Sequence, residues 1–205
     1  MTPAVPAGLI LAGGLSRRMG GGDKGLQRLG GETILARIAQ RLAPQVSPLL
    51  LNANGPAVRF GLGLPVVADT LPGHPGPLAG ILAGLDHLAR DVPATRFLLT
   101  VPSDCPFLPR DLAARLAAAA QGSGAAYAVS GGREHPVVGL WPVASRDTLR
   151  RLLVEEDERR MMNWARHSGA VPVEWPQAPV DPFLNINTPD DLLAAERLLA
   201  AYPAL

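Results

Sequence analysis

Apolar and polar positions along the chain fall into two alternating rhythms. Gly8 to Leu11 is an apolar run of strand length, and Glu32 to Leu42 follows with the three-and-four spacing of an amphipathic helix. Val46 to Leu51 predicts a second strand, Pro65 to Ala68 a short third, and Pro77 to Ala89 a helix entered through a Pro75-Gly76 turn. Phe97 to Val101 shows no alternation, as expected of a parallel strand covered on both faces. Beyond it, Pro109 to Ala120 predicts a helix, and Ala125 to Ser130 and Val137 to Trp141 predict strands. Ser145 to Val154 and Arg159 to His167 predict two more helices, and Val171 to Trp175 a last strand. Thr188-Pro189 opens a closing helix, with Thr188 as N-cap and Pro189 at the first helical position.

Short strand and helix units repeated without a low-complexity linker predict an α/β fold. The expectation is one domain over residues 1–205, a three-layer α/β/α sandwich around a mostly parallel, Rossmann-like sheet. In such a sheet, ligands bind beyond the carboxyl ends of the strands. The residues to weigh are therefore those just after strands: Ala12 to Lys24, Asn52, Asp69, and Pro102 to Pro106.

Composition narrows the classes. Hydrophobic content of 47% against 18% charged residues is enough for a large core, and the net charge of +1 gives no general field to draw nucleic acid or an anionic membrane. A single cysteine, Cys105, forbids an internal disulfide, and Met1 to Pro6 lacks the basic start and apolar core of a signal peptide, so the expected location is the cytoplasm. No apolar stretch approaches the roughly 20 residues of a membrane span. Of 19 basic residues, Lys24 is the one lysine.

That lysine ends the loop Leu11-Ala12-Gly13-Gly14-Leu15-Ser16-Arg17-Arg18-Met19-Gly20-Gly21-Gly22-Asp23-Lys24, which has five glycines in fourteen positions. Backbone N–H groups here approach an anion without obstruction by Cβ, and Arg17, Arg18 and Lys24 form the local positive cluster that the net charge hides. A polyphosphate is the fitting ligand, against the bland reading of a flexible surface loop. The loop is neither a dinucleotide fingerprint nor a P-loop: Gly20 to Gly25 begins well past the strand, and Lys24 follows Asp23 and precedes Gly25 instead of Ser or Thr.

Asp104 follows the most strand-like run and stands at the ligand face, where one carboxylate with phosphate oxygens and water suffices for Mg²⁺. A turn-capping role is the alternative. Asn52 and Asp69 offer an amide and a carboxylate to a base or ribose, though Asx residues after strands also form turns. His135-Pro136 and Arg159-Arg160 are ambiguous between ligand and surface, Asn185 and Asn187 between ligand and support for the Thr188 cap, and Cys105 reads as a buried, inert thiol.

At these residues the chain resembles a family. Leu11-Ala12-Gly13-Gly14, Ser16, Arg18-Met19-Gly20 and Asp23-Lys24 resemble the signature of the molybdenum cofactor guanylyltransferases and their relatives, including sugar-phosphate and molybdopterin cytidylyltransferases. Gly76 to Gly80, Ser103 to Phe107, His135-Pro136, Glu158 to Met161, and Phe183 to Pro189 extend the match in order along nearly the whole chain. The resemblance implies the nucleotide-diphospho-sugar transferase type of fold and transfer of GMP from GTP to the phosphate of molybdopterin, with release of pyrophosphate. It also implies Mg²⁺ at Asp104, GTP at Leu11, Ala12, Gly13, Gly14, Lys24, Asn52, Asp69 and Asp104, and catalysis by Lys24, Arg18 and Asp104. The nucleotide part is expected at about 7–107. The acceptor part is expected at about 108–205, with His135, Asn185 and Asn187 on the molybdopterin side. Expected partners are a molybdopterin carrier or a receiving molybdoenzyme. The rival readings are a cytidylyltransferase on molybdopterin, a sugar-phosphate nucleotidyltransferase, and a nucleotide or cofactor carrier without turnover.

Overall fold

A computed structural model of the protein describes residues 5–12, 24–71 and 76–203. In chain order the elements are β1 (Ala7–Leu11), β2 (Arg28–Leu29), β3 (Glu32–Thr33), α1 (Ile34–Leu42), β4 (Leu49–Asn52), β5 (Val66–Val67) and α2 (Pro77–Asp91). They continue with β6 (Phe97–Pro102), α3 (Leu112–Ser123), β7 (Ala126–Ser130), β8 (Arg133–Pro142), α4 (Arg146–Val154), α5 (Met161–His167), β9 (Val171–Trp175) and α6 (Pro189–Ala201).

Seven strands form one sheet in the order β5-β4-β1-β6-β8-β7-β9. Its pairs are parallel except where β8 runs antiparallel to both β6 and β7, so the sheet is mostly parallel, as expected. Two apolar clusters cover the two faces. Ile10, Leu51, Leu99 and Val101 pack under α1 and α3 through Ile34, Ile38, Leu112 and Leu116. Leu9, Leu50, Leu98 and Trp141 pack under α2, α4 and α5 through Ile81, Leu85, Leu152 and Trp164. Adjacent residues of one strand thus enter opposite clusters, which is why the central strands are apolar at every position. Three layers result.

Several boundaries differ from the expected ones for local reasons. The helix expected from Glu32 begins at Ile34, because Glu32 and Thr33 pair with Arg28 and Leu29 across Gly30-Gly31. Both glycines have positive φ, 60° and 86°, the backbone of a tight two-residue hairpin turn. Thr33 then caps α1, its hydroxyl accepting from Ala36 N at 3.1 Å. The strand expected from Val46 starts only at Leu49, after Pro48, which has no N–H to donate. The helix expected from Pro109 starts at Leu112 after a turn, and the strand expected from Val137 is longer, Arg133–Pro142, because a tight turn at Gly131-Gly132 pairs it with β7. Thr188 and Asp191 close a reciprocal capping box at the start of α6, with Pro189 in the first turn as expected. Pro75, expected in the turn before α2, lies outside the described residues. Among the described residues no helix is long and apolar enough to cross a membrane.

Candidate active site

The site is set by register. Leu11, the last residue of β1, pairs with Asn52 at the end of β4 on one side and with Pro102 at the end of β6 on the other. Ala12 N donates to Asn52 O at 2.8 Å and Ser103 N to Leu11 O at 3.1 Å, so three chain exits leave the sheet side by side. Gly13, Gly14, Arg17 and Arg18 belong to the segment that follows Ala12 and lie outside the described residues.

Asn52, buried at the end of β4, donates its amide to Asp69 Oδ1 at 2.9 Å and to Val67 O at 3.0 Å. The two expected nucleotide residues are therefore in direct contact. Asn54, which sequence reasoning passed over, brackets Asp69 from the other side. Its Nδ2 donates to Asp69 Oδ2 at 3.1 Å, and its Oδ1 accepts from Asp69 N at 3.2 Å. The signal available was the spacing Asn52-Ala53-Asn54, in which Ala53 is buried and both asparagines fall on the other side of the chain. Gly80 of α2 lies so close that a Cβ there would overlap Asn52 Oδ1.

Asp104 stands one turn beyond β6, half-buried. Its Oδ1 accepts from Asn185 Nδ2 at 3.0 Å and from the Cys105 thiol at 3.8 Å; no side chain among the described residues donates to Oδ2. Burial raises the Asp104 carboxyl above its ordinary range, and the Lys24 ammonium opposes the shift by favouring the charged form. Lys24 Nζ donates to Asn187 Oδ1 at 2.7 Å, across 163 positions of sequence. The lysine after the glycine-rich loop, the carboxylate after β6 and the two late asparagines are thus gathered in one cluster. Cys105 is buried and its thiol is pushed well above its ordinary range, first by burial and then by the Asp104 charge, so it stays a thiol rather than a nucleophile.

His135, buried in β8, lies deeper. Its Nε2 is 2.9 Å from Ser130 Oγ, and Ser130 Oγ donates to Asp181 Oδ1 at 2.9 Å. The single hydroxyl proton is directed to Asp181, so His135 donates through Nε2–H. Burial first of all lowers the His135 pKa, which keeps the ring neutral. The ring packs tilted against Phe183, centroids 5.0 Å apart, and Cys105 Sγ reaches Phe183 O at 3.6 Å, which joins His135 to the segment carrying Asn185 and Asn187. Nothing in the sequence pattern marked Ser130 or Asp181, whose hydrogen bond to each other spans 51 positions. Arg159 is exposed and paired to Asp157 at 2.6 Å, the solvated reading of the arginine pair.

A metal is best tested against the donor set. Asp104 supplies one hard oxygen with its hydrogen bonds from side chains confined to the other, and burial disfavours its charged form, a cost that a bound cation would offset. No group of three or more His, Cys, Asp or Glu residues could hold a metal among the described residues. One hard carboxylate oxygen fits Mg²⁺, which keeps several waters and needs no protein cage.

Comparison with known proteins identifies the family and the fold. The family described as MobA-like NTP transferase domain matches residues 8–171. A molybdenum cofactor guanylyltransferase of Bradyrhizobium sp. (strain ORS 278) is 55% identical over 202 residues, covering 97% of this chain and 95% of that protein. Among solved structures, molybdopterin-guanine dinucleotide biosynthesis protein A from Archaeoglobus fulgidus superposes with a TM-score of 0.73 at 21% identity, covering 95% of this chain and 99% of that one. A 4-diphosphocytidyl-2C-methyl-D-erythritol synthase from Anaerococcus prevotii reaches the same TM-score of 0.73 at 13% identity, covering 95% of each, so the fold is shared across nucleotidyltransferases of different substrates. The extent of the family match and the identity to the curated relatives establish that the chain belongs to the MobA-like NTP transferase family, among the molybdenum cofactor guanylyltransferases.

Proposed function

We propose that the chain transfers GMP from GTP to the terminal phosphate of molybdopterin, giving the guanine dinucleotide form of the cofactor and pyrophosphate. The observation that carries the proposal is the gathering of Lys24 and Asp104 at one sheet edge, through Asn187 and Asn185, in a chain 55% identical to a guanylyltransferase. In this reading Leu11, Ala12, Gly13, Gly14, Lys24, Asn52 and Asp69 bind the nucleotide, within the part at about 7–107. His135, Asn185 and Asn187 stand on the acceptor side, within the part at about 108–205.

An oxygen of the acceptor phosphate attacks the α-phosphorus of GTP. The bond from that phosphorus to the bridging oxygen breaks, and its electron pair leaves with pyrophosphate. The attacking oxygen is already anionic, so neither a side-chain nucleophile nor a strong base is required, consistent with a Cys105 held as thiol and a His135 held neutral. Lys24 and Arg18 neutralise phosphate charge, and the sheet edge fixes the geometry of attack. Asp104 would hold Mg²⁺, whose contribution is electrostatic stabilisation of the phosphate oxygens. The reading places the protein in the cytoplasm, in transient contact with a molybdopterin carrier or a receiving molybdoenzyme.

Pyrophosphate release assayed with GTP, CTP or ATP, each with molybdopterin, tests the proposal. Turnover with GTP well above the other two is expected. Equal turnover with CTP points to the cytidylyl reading. Activity with a sugar phosphate in place of molybdopterin points to the sugar-phosphate reading. Tight GTP binding without turnover makes the protein a carrier.

A further inference from the structure

Asn185 and Asn187 flank a fully buried isoleucine, Ile186, so both side chains leave the segment on the side away from the core. The backbone between them is pinned twice. Ile186 N donates to Asp104 O at 2.9 Å, while Asn187 N and Thr188 N donate to Asp191 Oδ2 at 2.9 and 2.8 Å. The cap of α6 is complete without either asparagine side chain, since Thr188 and Asp191 satisfy it reciprocally. The two amides are therefore surplus to helix support.

They are used with opposite polarity. Asn185 offers its N–H to the Asp104 carboxylate at 3.0 Å, and Asn187 offers its carbonyl to the Lys24 ammonium at 2.7 Å. Partner chemistry fixes these orientations, because a carboxylate only accepts and an ammonium only donates. A neutral amide also suits this place. A carboxylate at 187 would hold the ammonium as an ion pair and compete with phosphate, whereas an amide holds it and leaves its charge unspent.

We infer that Asn185 and Asn187 form a clasp of positioning residues for the donor half of the site: Asn187 parks the Lys24 ammonium beside Asp104 in the free protein, and Asn185 fixes the Asp104 carboxylate. The inference deepens the proposed reaction and rests on it for its purpose, though not for its geometry. Residues assigned to the acceptor side thereby also govern donor binding.

Lys24 is the one lysine of the chain, so amine-selective acylation with peptide mapping reads its environment directly, the N-terminal amine serving as internal reference. In the nucleotide-free protein, Asn187→Ala should label Lys24 about tenfold to a hundredfold faster than wild type, the equivalent of one lost hydrogen bond to a charged group. Its dissociation constant for GTP should rise by a similar factor, with the thermal midpoint unchanged. Asn187→Asp should slow labelling yet also weaken GTP, a divergence that a structural role would not produce. Asn187→Gln, which keeps a carbonyl, should recover part of both losses. An unaltered Lys24 labelling rate in Asn187→Ala overturns the inference, as do equal effects of the Ala and Asp variants accompanied by falling thermal midpoints. Should Asn187→Ala fail to fold, the Asp and Gln variants decide by the same comparison. If Asn187→Ala frees the lysine but GTP neither binds wild type nor protects Lys24, the clasp stands and the proposed reaction falls.

Discussion

Asp104 meets two opposed demands. Its position beyond β6 brings it to the strand-end edge, where the proposed reaction needs an ionised carboxylate, and the same position half-buries it, with the Lys24 ammonium favouring the charged form. A carboxyl raised by burial stabilises the fold most below its ordinary, unfolded value of 3.8 and loses that contribution as pH rises through the raised folded value. At neutral pH, then, the ionised side chain is a liability to stability, which the proposed metal role would explain. Asp104→Asn should lower Mg²⁺-dependent turnover by at least about tenfold, since it replaces a hard anionic oxygen by a neutral one. The same substitution should leave the thermal midpoint at pH 7.5 equal to wild type or higher. Turnover that stays at the wild-type level across a Mg²⁺ titration would remove the metal role, and a midpoint lowered by several degrees would return Asp104 to turn capping. At this scale the sequence marked Asp104 and Lys24 plainly, by position after strands and by rarity. It did not mark Ser130, Asp181 or Asn54, whose partners are distant or whose type is ordinary in turns.

Among elements, α2 ties the sheet to Asn52, proposed to bind the nucleotide. Gly80 and Gly84 lie four residues apart on the face it turns to the sheet. A Cβ on Gly84 would come within 2.7 Å of Leu9 Cδ2 and 2.9 Å of Leu98 Cδ2, while one on Gly80 would strike the Asn52 amide. Alanine gains up to about 1 kcal/mol of helix propensity over glycine, but crowding a packed core costs about 1–3 kcal/mol, so both substitutions should destabilise. They should part in function. Gly80→Ala displaces the amide that holds Asp69 and should weaken GTP binding beyond what its stability loss explains, whereas Gly84→Ala should leave GTP affinity near wild type. Denaturant unfolding and GTP titration of both variants read the comparison, and equal affinity losses would detach Asn52 from the nucleotide site. The helices and central strands were legible because periodicity and unbroken apolar runs are local signals. The β2–β3 hairpin was not, since strands of two residues carry no period; only Gly30-Gly31 announced its turn. Nor could the chain announce that β8 inverts between β6 and β7, because strand order is decided by packing across the whole sheet.

That inversion has its consequence for the whole molecule. The part proposed to bind the nucleotide, about 7–107, ends beyond β6, and the part proposed to bind the acceptor, about 108–205, supplies β8, which pairs with β6 from Phe97 to Thr100. Without β8 the first part would expose an unpaired edge at β6, and Leu98 and Leu99, fully buried on opposite faces, would lose the cover of the next strand. The two parts therefore share one sheet and two continuous cores, and they should unfold together. Trp141, Trp164 and Trp175 all lie in the second half and are buried, whereas Asn52 and Asp69, proposed to bind the nucleotide, lie in the first, so each half has its own probe. In a urea titration, loss of tryptophan burial and loss of GTP binding, the latter corrected for linkage between ligand and fold, should share one midpoint. A fragment ending at residue 107 should not fold. A tryptophan transition well below the loss of GTP binding, or a folded fragment that binds GTP, would divide the chain into two independent units and leave the Lys24–Asn187 contact as a junction between them.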